Sequence, residues 1–473
     1  MKAIAIDQGT TGTKAFTLDE DGHFETAASF EHRQIYPQPG WVEHDAEELL
    51  SHVSACLAAA PDATVVGIDN QGETVIAWDS ATGQPLCNAI VWQDARTASV
   101  IDRLKADGAE SLTQERAGLP LDPYFSAAKL RWVIDHVDGA AALLSAGRLR
   151  LGTSDAFFNG RLTGVYATDV TTASRTSLMN LASLEWDDDL CALFGVPREC
   201  LPEIRATTGP FGEISGRPLT ASLVDQQAAL FGHGCEKPGD AKITFGTGAF
   251  ALAVAGPKRP PPNDAGLVAT VAWQQGSHPV EFALDGGVYN AASAVNWARG
   301  LGLFKEFGEI NGFTGDPAIA RGLAFVPALS GLACPHWDRS AAGLWIGLGL
   351  ETSAADMMQS LLEGVAFRAA EVMAALDGQT RLSARISIDG GLARNPYFVT
   401  FLANVLNRTV VVAGTPDLTG LGTARMALRG AGLQTLPPLP QPLTEVAPLS
   451  PLSADHHLRF KRARERAGGW KDA

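Results

Sequence analysis

Several short stretches carry residue types and spacings suited to chemistry between a phosphate and a hydroxyl. The first is Asp7-Gln8-Gly9-Thr10-Thr11-Gly12-Thr13-Lys14. A carboxylate ends an apolar run, glycines let the backbone turn tightly, and hydroxyls and a lysine follow. Backbone N–H groups in such a turn can surround phosphate oxygens. Lys14 can neutralise a transferring phosphate, and Asp7 can hold Mg²⁺ through water, because Mg²⁺ keeps much of its hydration shell. The same residues also fit a plain hairpin with a polar turn. It is not a Walker loop, whose GxxxxGK[ST] spacing is absent. Gly246-Thr247-Gly248 echoes this turn later in the chain. In Val224-Asp225-Gln226-Gln227, Asp225 is either a helix N-cap or a general base for a hydroxyl proton. Transfer of a phosphoryl group asks little more of a protein than positioning and charge neutralisation.

Two further stretches complete the set. In Ser387-Ile388-Asp389-Gly390-Gly391-Leu392-Ala393-Arg394-Asn395-Pro396, a strand runs through a glycine pair into a helix. Asn395 as N-cap and Pro396 at the first helical position form a good helix start. The glycine backbone could also lie against a nucleotide. Glu73, Trp92 and Tyr124 each follow a strand or sit in a turn. The Glu and Tyr could bind hydroxyls, and the Trp could pack on a carbon skeleton. Each also fits ordinary packing.

The elements that must position these residues alternate between short apolar strands and longer amphipathic helices, a mixed α/β pattern. Strands are predicted at Ala3–Ile6, at Ala15–Leu18 before an Asp21-Gly22 turn, and at Thr64–Ile68. Helical spacing links Met357, Leu361, Leu362, Val365, Ala366 and Ala369, and again Phe398, Phe401, Leu402, Val405 and Leu406. Strand, Gly/Thr turn, strand occurs at 3–18 and again at 243–255, which predicts a duplicated core with the two turns facing across a cleft. The Gly/Lys/Pro cluster at Gly232–Gly239 divides the chain into 1–233 and 234–473. The Pro/Leu-rich segment 434–451 reads as an extended strap, and Arg459–Arg464 as a solvated helix face.

Composition narrows the classes. The 473 residues carry 37 Lys plus Arg against 52 Asp plus Glu, a formal charge of −15. Such a chain gains nothing from counterion release on nucleic acid or anionic lipid. No apolar stretch approaches the roughly 18–20 residues of a membrane span, and Asp7 interrupts the N-terminal run too early for a signal peptide. Six scattered cysteines without CxxC spacing predict core thiols in a reducing, cytoplasmic setting. The ten histidines form no HExxH pair, which argues against zinc.

These residues resemble the FGGY carbohydrate kinases, and within them the glycerol kinases. The likeness runs from about residue 2 to 428. It includes Asp7–Lys14, Gly40-Trp41-Val42-Glu43, Asn88–Gln93, Leu119–Ser126, Thr172-Ala173-Ser174-Arg175-Thr176 and Asp225–Leu230. Lys129–Asp135 fits one family signature, and Gly343–Glu363 the other. The resemblance implies two actin-like (ribonuclease H-like) domains flanking a deep catalytic cleft. The polyol or sugar site and first phosphate turn would lie in 1–233, the ATP site in 234–473. It implies Asp225 as general base and Mg²⁺ near Asp7 and Asp225. Thr10, Thr11 and Lys14 would face ATP phosphates from one side, Thr247 and Gly248 from the other. Asn296, Gly391 and Asn395 would line the adenosine. Glu73, Trp92, Tyr124, Asp225, Gln226 and Phe250 match the polyol pocket. A homodimer or homotetramer is implied as well.

One position departs from the pattern. Where the glycerol kinases carry a hydroxyl-binding Arg before the pocket Glu, this chain has Gly72; Asp94 and Ala95 also differ. The lost guanidinium predicts a void that either water or a longer substrate (a tetritol, pentitol or ketose) would fill. A non-kinase actin-like ATPase is the reading from another class, and it predicts no polyol pocket.

Overall fold

The computed structural model describes residues 1–263, 265–440 and 444–472. Ala3, Ile4, Ala5 and Ile6 are wholly buried in the strand Lys2–Gln8. An unbroken apolar run is what a strand covered on both faces requires. That strand lies inside a sheet ordered Glu213–Ile214, Arg217–Val224, Val65–Asn70, Lys2–Gln8, Gly12–Asp19, Phe24–Glu31. A second sheet is ordered Val268–Trp273, Glu281–Val288, Ala249–Gly256, Ala241–Phe245, Arg385–Gly390, Thr409–Val412, Thr444–Val446.

The two sheets repeat one plan. Lys2–Gln8 pairs antiparallel with Gly12–Asp19 and parallel with Val65–Asn70. Ala241–Phe245 pairs antiparallel with Ala249–Gly256 and parallel with Arg385–Gly390. Each hairpin adds a third antiparallel strand, and each parallel side adds a second parallel strand. The duplication expected from 3–18 and 243–255 is therefore present. In register, Asp7 faces Asp69 on the neighbouring strand, as Thr244 faces Asp389 in the other sheet.

The halves are joined by two helices, Asp225–Gly232 and Leu418–Gly430. A Cβ on Gly422 would lie 1.8 Å from the Ala228 carbonyl oxygen, and one on Gly232 would lie 2.0 Å from that of Leu418. Backbone meets backbone here, with no room for any side chain. The second helix also packs on the first sheet, since a Cβ on Gly420 would meet the Phe16 ring at 2.1 Å.

The helices foreseen at 357–369 and 398–406 are Ala354–Gln379 and Pro396–Leu406. Ser353 and Asp356 form a reciprocal capping box on the first. Asn395 caps the second by accepting from Phe398 N, with Pro396 in its first turn.

Two expectations for the C-terminal region are corrected. Within 434–451, of which 441–443 lie outside the described residues, Thr444–Val446 is an edge strand on Thr409–Val412 rather than part of a strap. The basic run lies on the helix Ala454–Ala467, but that helix is not simply solvated. Phe460, Ala463 and Ala467 are buried, Arg459 donates to Ile319 O, and Arg464 pairs with Glu371.

Gly422→Ala is expected to lower the melting temperature sharply or abolish soluble expression, because its Cβ has no space. Gly378→Ala, where a Cβ meets nothing within 4 Å, should be neutral or stabilise by up to about 1 kcal/mol through helix propensity. Thermal denaturation of both variants checks the contrast.

Candidate active site

The strand Arg217–Val224 delivers Asp225 as the first residue of its helix, where Val224 occupies the cap position. Asp225 is thus not the N-cap its sequence setting allowed. Among the described residues its carboxylate accepts only the adjacent Gln226 N–H, at 2.7 Å. Burial, with the Asp7 and Glu73 carboxylates nearby, pushes it up to about 7. A carboxylate poised near neutrality suits proton abstraction. Gln226 is held by Lys242, whose Nζ donates to its Oε1 at 2.6 Å and to Thr244 Oγ1 at 2.9 Å. Lys242 is fully buried, and burial lowers its pKa.

Asp7 ends its strand beside Asp69, and burial is the chief cause that raises it to about 6. Burial, then Asp7, also raises Asp69 well above the carboxylate range. Thr423 donates to Asp69 Oδ2 at 2.6 Å, while Asp69 Oδ1 is buried without a partner. This excess of buried, hard oxygen donors fits a cation such as Mg²⁺. The three carboxylates of Asp7, Asp69 and Asp225 do not converge tightly enough to ligate one ion directly. The one cluster of that kind among the described residues is Asp19, Asp21 and His23, at the hairpin turn after the second strand. Water-mediated holding at Asp7 fits the geometry better.

The first turn is tied into both halves. Lys14 pairs with Asp417, at the cap of the helix Leu418–Gly430, at 3.1 Å. Thr10 Oγ1 accepts from Trp92 Nε1 at 2.9 Å, so its hydroxyl oxygen is already engaged with the pocket wall. Thr11 is exposed. In the second turn, Thr247 is exposed, and a Cβ on Gly248 would strike Val288 O at 2.5 Å. Nothing lies within 4 Å of a Cβ built on Gly391, which leaves open space above it. Asn296 is exposed on the helix Ala292–Gly300. Asn395 spends its carboxamide on the Phe398 N–H and on Ile310 O.

Two of the expected pocket residues are in direct contact. The Trp92 and Tyr124 rings meet edge to face at 5.4 Å. The fully buried Lys129 holds the Tyr124 turn by donating to Pro123 O and Tyr124 O. Phe250 lies opposite Gly287 on the second sheet. The divergent Asp94 accepts from Val42 N and grips Arg96, which also pairs with Glu43 and stacks over Trp41 at 3.8 Å. Gly40–Glu43 and Trp92–Asp94 therefore brace the pocket floor.

The space directly at Gly72 is tight. A Cβ there would stand 3.2 Å from Val224 Cγ1 and 4.0 Å from Arg175 Cγ. Arg175 enters from another part of the chain, and its Nε donates to Glu73 Oε1 at 2.7 Å. Its Nη1 stands 3.2 Å from Asp285 in the opposite half.

Sequence reasoning missed Asp69, Lys242, Arg175 and Asp285. Asp69 had the same signal as Asp7, a carboxylate closing an apolar strand. Lys242 was visible as a lone cation inside the run Ala241–Phe245. Arg175 lay inside the quoted stretch Thr172–Thr176 but was given no role, and Asp285 had no local signal.

Comparison with known proteins agrees with this geometry. Residues 2–232 match the N-terminal domain model of the FGGY family of carbohydrate kinases, and residues 241–431 match its C-terminal domain model. A glycerol kinase of Rhizorhabdus wittichii is 42% identical, over 89% of this chain and 87% of that one. Another, from Alkalilimnicola ehrlichii, is 40% identical over 99% of each. Among solved structures, Plasmodium falciparum glycerol kinase with ADP superposes with a TM-score of 0.90, at 28% identity and 98% coverage of both chains. A ligand-bound xylulose kinase from Lactobacillus acidophilus, at 22% identity, shares the fold with a TM-score of 0.85, over 98% of this chain and 96% of that one.

Gly72→Arg is expected to destabilise the protein rather than restore a family pocket. Its side chain must displace Val224 and set a second guanidinium beside Arg175. Gly72→Ala asks Val224 to yield only a few tenths of an ångström. The melting temperature should fall clearly for the Arg variant and by about 1 kcal/mol or less in stability terms for the Ala variant.

Proposed function

The chain belongs to the FGGY family of carbohydrate kinases and is an ATP-dependent kinase, and from that premise we propose that it phosphorylates a terminal hydroxyl of a small polyol, glycerol foremost. The observation that carries this reading is Asp225 at the start of its helix. It lies among Asp7, at the first Gly/Thr turn, and Glu73, in the Trp92/Tyr124 pocket. This supports a reading in which Asp225 serves as base for the hydroxyl, between the first Gly/Thr turn on the phosphate side and Glu73, Trp92 and Tyr124 on the polyol side.

The Asp225 carboxylate takes the proton of the attacking hydroxyl while its oxygen bonds to the γ-phosphorus and ADP leaves. Lys14, Thr10 and Thr11 serve the phosphates from one turn, Thr247 and Gly248 from the other. Open space above Gly391 supports an adenosine site there, with Asn296 and Asn395 at its border. Asp7 is the residue that would hold Mg²⁺ through water, with Asp69 and Asp225 adding negative charge. When bound, Mg²⁺ supplies charge neutralisation on the phosphate oxygens. Glu73, Trp92, Tyr124, Gln226 and Phe250 orient the polyol.

Closure of 1–233 on 234–473 would exclude water, which otherwise competes for the phosphoryl group. The alternative of a longer substrate rests on extra room beside Gly72, and it has less support because Val224 and Arg175 lie close to that position. The free thiols of all six cysteines support a reducing, cytoplasmic setting. A homodimer or homotetramer rests on family resemblance alone. No helix is long and apolar enough to cross a membrane among the described residues.

The test is ADP release with Mg·ATP and a panel of glycerol, erythritol, pentitols and ketopentoses. Glycerol should lead. Asp225→Asn should cut turnover by about 10²–10⁴-fold while calorimetry shows ATP binding intact. Turnover retained in that variant would remove Asp225 from the role of base.

A further inference from the structure

Although Gly72 leaves no guanidinium at its own position, one lies close by, on Arg175 beside Glu73 and Tyr124. We propose that Arg175 is the residue that holds the substrate's non-reacting hydroxyls, and that it limits the pocket to a three-carbon polyol. This rests on the polyol kinase reading above.

Arg175 follows the short helix Val170–Ala173, and its side chain is only 6% exposed. A guanidinium carries five N–H donors. Among the described residues, one hydrogen bond is made by them, from Nε to Glu73 Oε1. Nη1 lies 3.2 Å from Asp285 Oδ2 as an ion pair, yet it is buried without a properly directed hydrogen bond. A fully structural arginine would be expected to spend more of its donors, because buried unpaired donors are costly. Burial opposes its charge, but the Glu73 and Asp285 carboxylates outweigh that and keep it cationic.

The surroundings of the guanidinium are the pocket itself. Its centre is 5.7 Å from the Tyr124 ring and 5.5 Å from the Phe125 ring. Glu73, which it grips, is the residue that follows Gly72. Arg175 Cγ also lies 4.0 Å from where a Cβ of residue 72 would be. One side chain therefore both borders residue 72 and carries N–H groups that no described residue accepts. Because Glu73 and Asp285 belong to opposite halves, hydroxyls bound here would also be read at the junction of the two.

The experiment compares wild type, Arg175→Gln and Arg175→Lys on glycerol, propane-1,2-diol, propane-1,3-diol and erythritol. It reads kcat and KM for each alcohol, KM for ATP, and the melting temperature. Wild type should favour glycerol over at least one diol, and over erythritol, by about tenfold or more in kcat/KM. Arg175→Gln should raise KM for glycerol by about tenfold or more, leave KM for ATP unchanged, and bring the glycerol-to-diol ratio towards one. Arg175→Lys, which keeps the charge without the fork, should give an intermediate ratio, and it stands in if the Gln variant does not fold. An unchanged glycerol-to-diol ratio in both variants, with stability and turnover reduced for every alcohol alike, would assign Arg175 a purely structural role and overturn the proposal. Wild-type preference for erythritol would also overturn it while leaving the kinase reading intact. If wild type phosphorylates no alcohol in the panel, the underlying reading falls and this inference falls with it.

Discussion

The contact between the helices Asp225–Gly232 and Leu418–Gly430 fixes the geometry on which the cleft depends. Gly422 and Gly232 let the two backbones touch, since any Cβ at either position would fall at about bonding distance from a carbonyl oxygen. That closeness has a chemical consequence at the helix starts. One helix begins with Asp225, and the other is preceded by Asp417, which holds Lys14 of the first turn. Asp225 and Lys14, the proposed base and the proposed phosphate-facing lysine, are therefore placed by one packing constraint. The N-terminal ends of both helices carry partial positive charge into a region crowded with carboxylates.

That crowding is the second organising fact. Asp7, Asp69, Asp225 and Asp285 all lie in surroundings where burial raises their pKa values. Lys242 and Arg175 offset part of the charge, and neither is exposed. Buried ionic groups are expensive to leave unpaired, so the surplus of negative charge around Asp7 and Asp69 amounts to a standing preference for a cation. On the pocket side the balance is different. There Arg175 meets Glu73 and Asp285, and the local excess is of hydrogen-bond donors. The cleft thus runs from a cation-seeking end at the turns to a hydroxyl-seeking end at the pocket.

How much of this was legible in the sequence depended on whether the signal was local. Asp7 and Asp225 could be found because each carboxylate interrupts an apolar strand at its end. Asn395-Pro396 could be found because capping chemistry is written in adjacent residues. The duplicated hairpins were visible as two Gly/Thr turns between apolar runs. The edge strand Thr444–Val446 was missed because three residues carry too little alternation to stand out from a proline-rich segment. In the last helix, charge hid the pattern that mattered. Phe460, Ala463 and Ala467 recur at i, i+3 and i+7 beneath the basic residues. The Val42 partner of Asp94 was equally out of reach, since that contact closes segments 52 residues apart in the chain.

Gly72 shows why a missing side chain is a weak guide to a missing function. Read along the chain, the glycine removes a guanidinium and leaves a hole. In three dimensions, Val224 approaches from the strand beside it and the Arg175 stem covers the rest. Val224 can do so because its own backbone N–H is held by Thr171, two residues from the helix end that carries Arg175. Thr171 in turn is bound to Asp169, the cap of that helix. Val224 beside Gly72, Arg175 and Asp225 are therefore tied to one buried polar chain, Asp169–Thr171–Val224. On the proposed reading, selectivity at this pocket depends on that chain and the side chains it positions as much as on residue 72.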